Sequence, residues 1–429
     1  MNSARFSWVV FALIVSTGAQ AAGHEALGLP DSAVVEQVLN AAPRVKAADA
    51  RLRVESARSD GLASGPYEWN ANLSAQRRRA DATNGGTDRF NEWSAGVERT
   101  VRLPGKAAMD RALGQGGVDM ATIAREDAFH EASRDLLTAW FAWLRGVAVA
   151  EQWQSQVDSL NTQARAVARR NELGDASSLD AVQANAALAQ ARAELATALA
   201  MRDAAAESLS RRYPDLPLTA PTHLAEPGVV AGQESEWMDA LMGHSHGLRL
   251  AQSRSHLAGL NARRVGRDRV PDPTFGVFFS RERGGEEQVI GAQVSIPIVG
   301  GARRASASAA VAEADAVAQM EADALREATA EAATSLLKAK ASRTAWEASR
   351  TAGEQMMAAA QMTERAYRLG EGSFDELLLA QRRANEAALS ARQRHLDALE
   401  SYYRLSLDAG RLWGDADMPA HPDMKGDHS

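Results

Sequence analysis

The chain has 429 residues, 45% hydrophobic and 24% charged, with a net charge of −7 and no cysteine. That length allows two or three ordinary domains, and the missing cysteines exclude disulfides, thiolate metal sites and a catalytic thiol. Lys and Arg are scattered, with no dense basic block beyond Arg77-Arg78-Arg79, so nothing points to nucleic acid. In chain order, Arg5, a mostly apolar stretch from Phe6 to Val15 and the small residues of Ala19-Gln20-Ala21 predict a secretory signal peptide over 1–21. Its apolar run is too short to span a bilayer as a helix, and no later run approaches ~20 apolar residues. An amphipathic helix is expected over about 32–62. From Tyr67 the odd positions turn mostly apolar (Trp69, Ala71, Leu73, Ala75) against Glu68, Asn70, Asn72 and Ser74, and Trp93, Ala95, Val97, Val101 and Leu103 alternate likewise. Period two predicts strands, here a β-hairpin over about 67–103.

No proline lies between Pro104 and Pro214, or between Pro297 and Pro419. Interior proline breaks helices, so long helices can exist only in these two gaps, and Ala, Leu, Glu, Gln and Arg dominate both. Each gap has one interruption, Gly174 and Gly370, followed by a candidate cap, Ser177 and Ser373. Each gap therefore reads as a helical hairpin, with arms about 106–172 and 177–211, then about 303–368 and 374–411. The first arm of each pair would be roughly 95–100 Å long at 1.5 Å per residue.

The two halves match element by element. The first repeat covers 22–211, a Pro-rich linker 212–234, the second repeat 235–411 (helix about 235–266, β-hairpin about 273–298, helical hairpin about 303–411), and a polar tail 412–429. Duplication of this kind marks a repeat architecture. Strands of ~10 residues with one apolar face have the length that crosses a membrane in a tilted barrel. Four strands cannot close, and lipid forbids an open edge. Several copies must therefore share one barrel, the smallest of which has about eight strands. Alanine-rich helices of this length need neighbours as well, so a ring of helical hairpins from several chains would form a tube. A soluble pair of hairpins packed on helices, or a periplasmic coiled-coil scaffold or adaptor, is the competing class; an adaptor would carry one helical hairpin rather than two.

Tandem units of helix, β-hairpin and long helical hairpin, with turns at Asn171-Glu172-Leu173-Gly174 and Tyr367-Arg368-Leu369-Gly370, resemble the TolC family of outer-membrane efflux proteins over nearly the whole mature chain. The resemblance implies a homotrimer with a 12-stranded barrel and a helical periplasmic tunnel. It implies a passive exit duct serving an inner-membrane RND-type pump through a periplasmic adaptor, in a protein embedded in outer-membrane lipid. The corner Leu103-Pro104-Gly105-Lys106 looks closest to CzcC-like members of heavy-metal efflux systems. That finer likeness points to heavy-metal cations; drug or type I protein secretion ducts share the fold. With no cysteine after the signal peptide, no lipid anchor is expected.

The same resemblance assigns residues. Leu173, Gly174, Ser177, Leu369, Gly370 and Ser373 would form periplasmic tips that dock an adaptor; plain helix capping explains the same residues. Glu376 matches an acidic position lining the entrance, with Asp375, Glu371 and the first-half counterpart Asp180 as companions. Three copies would make a carboxylate ring that favours cations; a solvated helix face is the alternative. Tyr367 matches a family tyrosine that helps hold the entrance closed. His244, His246 and the tail's His421, Asp423, Met424 and His428 lack the spacing of a closed metal site, so no metal and no cofactor is expected. Met356, Met357 and Met362 read as packing residues, as do Trp140, Trp143 and Trp153. Enzyme signatures are missing. His130-Glu131-Ala132-Ser133 lacks the second histidine of a zinc-protease helix, and Gly105-Lys106-Ala107-Ala108 is no phosphate loop.

Overall fold

The computed structural model describes residues 28–81 and 85–413. The expected signal peptide and the tail residues His421, Asp423, Met424 and His428 lie outside them. The described chain is mainly helical with one small sheet. Its elements are α1 (Ser32–Ala41), α2 (Pro43–Ser64), β1 (Trp69–Asp81), β2 (Thr87–Thr100), α3 (Pro104–Glu172), α4 (Ser178–Arg212), α5 (Glu234–Gly243), α6 (His246–Arg267), β3 (Thr274–Glu282), β4 (Glu287–Ser295), α7 (Gly301–Leu369) and α8 (Phe374–Asp408). Helices α3 and α7 are each 69 residues long. None of the described helices is long and apolar enough to cross a membrane.

Two expected elements are divided. The helix expected over 32–62 breaks before Pro43, which has no N–H to extend α1 and drives its predecessor into extended backbone: Ala42 has ψ 136°. In the second half one helix ends at Gly243 and Ser245 caps the next, its Oγ accepting the Leu248 N–H at 3.4 Å. The strands run further than their apolar stripes. Pairs such as Arg79↔Arg89 and Ala80↔Asp88 continue the β1–β2 ladder past the ~10 residues expected of each strand, to 13 and 14. Inter-strand hydrogen bonds need no apolar side chain, so hydrophobic alternation marks only part of a strand.

The described residues fall into two compact units. One comprises the chain up to Ala42, His130–His244 and the chain from Ala332; the other Pro43–Phe129 and Ser245–Glu331. Each draws on both halves of the sequence. The first unit holds the larger apolar core. One part packs Val157, Leu160, Ala164 and Val167 of α3 against Ala184, Leu188 and Ala191 of α4 and Phe374 and Leu377 of α8. A second gathers Trp237, Leu241, Leu336 and Leu405. Trp140 and Trp143 are buried there as expected. Met356, Met357 and Met362 are not: they are 45%, 41% and 70% exposed, which corrects their reading as packing residues of this chain. They lie on a stretch of α7 whose inward positions are taken by Gly353 and Ala360. The second unit carries the sheet, in the order β1-β2-β3-β4 with every pair antiparallel.

Candidate functional site

The sheet register sorts the strand residues into two faces. On one face the cross-strand rows read Trp69, Arg99, Phe275 and Val294; then Ala71, Val97, Val277 and Ala292; then Leu73, Ala95, Phe279 and Ile290; then Ala75, Trp93, Arg281 and Gln288. This face is apolar and open to solvent: Leu73 is 83% and Ile290 85% exposed, and Val277 and Val294 are more than half exposed. Ile296 and Ile298, just past β4, extend it. Soluble single chains rarely leave a contiguous apolar surface of this size uncovered. The opposite face is polar. Ser74 hydrogen-bonds Ser94 at 2.8 Å, Gln76 donates to Glu92 at 2.8 Å, and Gln293 donates to Glu98 at 3.0 Å. Among the described residues neither β1 nor β4 has a strand on its outer edge.

Where this sheet meets its helices lies a balanced cluster of charges. Lys106, 2% exposed, places its Nζ 3.1 Å from both Asp268 and Asp272. Asp272 also accepts the Tyr67 hydroxyl at 2.8 Å and the Leu103 N–H at 3.1 Å. Arg102 pairs with Asp110 at 2.8 Å and caps α2 by donating to the Leu62 and Ala63 carbonyls. Arg264 closes the cluster on Asp110 and on Asp268. Burial alone would raise the carboxyls of Asp268 and Asp272, but their hydrogen bonds outweigh it and hold both below the ordinary aspartate value. Three cations thus face three anions at the ends of α2, β2 and α6 and the starts of β1, α3 and β3. Sequence reading singled out Lys106 only as part of a corner motif and missed its partners. The visible signal was Asp272 between Pro271 and Pro273.

The tips form in the first unit. At Gly174 and Gly370 the backbone takes φ +82° and +80°. The Asp175 N–H reaches back to the Arg170 carbonyl at 2.8 Å, and the Glu371 N–H to the Ala366 carbonyl at 3.0 Å. Both are the paired-bond helix ends that a left-handed glycine allows. Ser177 and Ser373 then cap α4 and α8 with reciprocal bonds. Asp180 returns its carboxylate to the Ser177 N–H at 3.3 Å, and Glu376 to the Ser373 N–H at 2.9 Å. The Ser373 backbone N–H, then its side chain, hold the Glu376 carboxyl below the usual glutamate value. Asp375 and Glu371 are exposed beside it. Leu173 and Leu369 are 61% and 70% exposed.

Tyr367 joins the two turns. Its ring stacks obliquely on Phe374 at 5.5 Å, the Arg170 guanidinium lies over it at 5.4 Å, and Arg170 Nη1 donates to its hydroxyl at 3.1 Å. Arg170 also donates to the Asp175 carbonyl at 3.2 Å. Sequence reading named Tyr367 and missed Arg170, because the first-half counterpart of Tyr367 is Asn171 and the contact crosses between repeats. His244 Nδ1 lies 2.9 Å from the Ala240 carbonyl, and the described residues hold no cluster of three or more His, Cys, Asp or Glu that could bind a metal.

Among solved structures, the chain is similar to the CmeC outer membrane channel of Campylobacter jejuni, at 14% identity and a TM-score of 0.72, covering 90% of this chain and 86% of that one. It is similar to CusC, studied for transmembrane channel formation, at 14% identity and a TM-score of 0.76, covering 92% and 95%. The outer membrane protein VceC of Vibrio cholerae matches at 17% identity and a TM-score of 0.69, covering 88% and 94%. No protein-family model and no curated protein matches the chain. The shared fold is that of outer-membrane channels.

Proposed function

We propose that the chain is an outer-membrane exit duct. Three copies would place twelve strands in one closed barrel, edge β4 of each pairing with edge β1 of the next. The helical hairpins would form a periplasmic conduit, entered at the Gly174 and Gly370 tips. The observation that supports this most directly is the exposed apolar sheet face beside two unpaired edges. Lipid would cover the one and neighbouring copies would pair the other. The apolar rows run from Trp93 to Val101, about 27 Å along the strands. Tilted by about 40°, that spans roughly 20 Å of membrane, near the ~25 Å apolar band of such barrels.

Transport energy would come from an inner-membrane RND-type pump acting through a periplasmic adaptor docked on the tips. Glu376, Asp375, Glu371 and Asp180 would bias the entrance toward cations, and Tyr367 with Arg170 would hold it closed. By the likeness of its Leu103–Lys106 corner to CzcC-like ducts, the cargo would be heavy-metal cations.

The test is fractionation of the full chain. Heat-resistant trimers in the outer membrane, with ion conductance in planar bilayers, support the duct; a soluble monomer overturns it. For the cargo, deleting the gene should lower tolerance to divalent heavy metals. Unchanged metal tolerance with lowered tolerance to organic drugs would reassign it.

A further inference from the structure

Arg77-Arg78-Arg79 plays no part in the duct as described. The register separates these three residues. Arg78 points to the polar face, where it pairs with Glu92 at 3.1 Å and Glu282 at 3.3 Å. Arg77 and Arg79 continue the apolar face beyond its last apolar row. There Arg77 stands opposite Asn91, and Arg79 stands directly opposite Arg89. Arg281 joins them from β3, opposite Trp93. Arg77, Arg79, Arg89 and Arg281 are all exposed. Among the described residues none of the four forms an ion pair; Arg77 has only the neutral Asn91 side chain, at 3.1 Å.

Like charges directly opposite on neighbouring strands destabilise a sheet. A cationic band on the face that meets lipid costs more the deeper it lies. Both costs vanish if the band meets an anion at the membrane surface. Its place fits: Arg281 shares the last apolar row with Trp93, and Arg77, Arg79 and Arg89 lie in the rows beyond it toward the hairpin loops. In the duct proposed above, those loops face outward. Guanidinium takes phosphate bidentately, and two opposed arginines can share one phosphate group.

We infer that Arg77, Arg79, Arg89 and Arg281 form a binding site for the phosphate groups of an outer-leaflet glycolipid, lipopolysaccharide, held on the membrane-facing surface of the sheet. This rests on the reading of the sheet as membrane-spanning. The acyl chains would lie over Leu73, Phe279 and Ile290, with the phosphates in the arginine rows.

The test uses the full chain in phosphatidylcholine nanodiscs, with bound lipid counted by native mass spectrometry. Diphosphorylated lipid A should bind and remain at least 10-fold longer than phosphatidylglycerol, and monophosphorylated lipid A should fall between them. The Arg79→Gln/Arg89→Gln variant should lose that preference, while Arg78→Gln on the other face keeps it. No lipid A binding by the unmodified protein overturns the site, as does equal retention of phosphatidylglycerol or an unchanged preference in the double variant. The unmodified-protein measurement decides the matter even if the double variant fails to fold. A chain that inserts into nanodiscs without preferring lipid A refutes this site alone; a chain that does not insert refutes the duct.

Discussion

Replacing Lys106 with methionine removes a buried charge and keeps most of its volume. The side chain is 2% exposed, and its Asp272 partner is 3% exposed. Breaking such a buried pair costs roughly 3–5 kcal/mol, because the partner is left charged without its counter-ion. Two details set the value at the lower end. Asp272 keeps the Tyr67 hydroxyl and the Leu103 N–H as donors. The second partner, Asp268, is 39% exposed and is shared with Arg264, so solvent and that guanidinium compensate for most of its loss. The expected cost is about 3 kcal/mol, felt at the junction of sheet and helices.

Global unfolding of a multi-unit chain is not two-state, so the assay must be local. The Leu103 amide donates to Asp272 and reports directly on opening of the cluster. Its hydrogen exchange in the Lys106→Met protein should accelerate about 100-fold, the factor that ~3 kcal/mol gives at 1.4 kcal/mol per decade. Adding Asp272→Asn should recover most of the loss, since the stranded charge is then gone. Exchange within about threefold of the unmodified protein, or a double variant as perturbed as the sum of the single ones, would refute the assignment of Lys106 as the buried counter-ion.

Four further outcomes are expected. Gly174→Ala and Gly370→Ala should each cost about 1–2 kcal/mol from backbone strain alone, since nothing lies within 4 Å of either added Cβ; limited proteolysis should speed up at the altered tip, and Asn should cost less. Arg170→Ala should raise single-channel conductance and weaken the tip by about 1 kcal/mol, with Tyr367→Phe giving a smaller change that does not add to it. Glu376→Gln keeps a cap but removes the charge, so cation block of the channel current should weaken; unchanged block removes the entrance role. Burial would raise the Asp408 carboxyl, but bonds from His130 and Arg134 hold it below the ordinary aspartate value. Its contribution should therefore be complete above about pH 4 and lost as pH falls through the depressed value, seen as faster exchange at the end of α8 only under acid.

Proline placement and period-two alternation made the helices and strands legible in the sequence, because both follow from local chemistry. Helix α3 begins at Pro104 and ends before Gly174, and β1 contains the Trp69–Ala75 stripe. What stayed hidden was of two kinds. Polar continuations such as Arg79↔Arg89 carry no hydrophobic signature, so alternation marks shorter strands than those that form. Contacts between distant segments, such as Lys106 with Asp268 and Asp272 or Arg170 with Tyr367, depend on which helix end faces which. One chain's periodicity does not encode that. The break at Pro43 is legible in the sequence: a proline inside an amphipathic pattern marks a helix start as readily as an interior position.

The tips show how repeated chemistry produces unequal sites. Both turns use a left-handed glycine, a serine cap and an acidic residue three positions on, so local structure is the same at Asp180 and Glu376. Each of these carboxylates has an oxygen engaged with its own helix and keeps its charge, so the cap fixes where that charge stands. The difference lies one turn earlier. Tyr367 brings an aromatic ring and a hydroxyl where Asn171 brings an amide, and Asn171 spends its amide on the Ala176 carbonyl of its own turn at 2.9 Å. Tyr367 instead reaches across to Arg170 and joins the two turns. An opening that separates the hairpins must break that contact, while the capping boxes can persist through it. Conductance should thus respond to Arg170 and Tyr367 through the open fraction, and to Glu376 only through the charge met by the permeating ion.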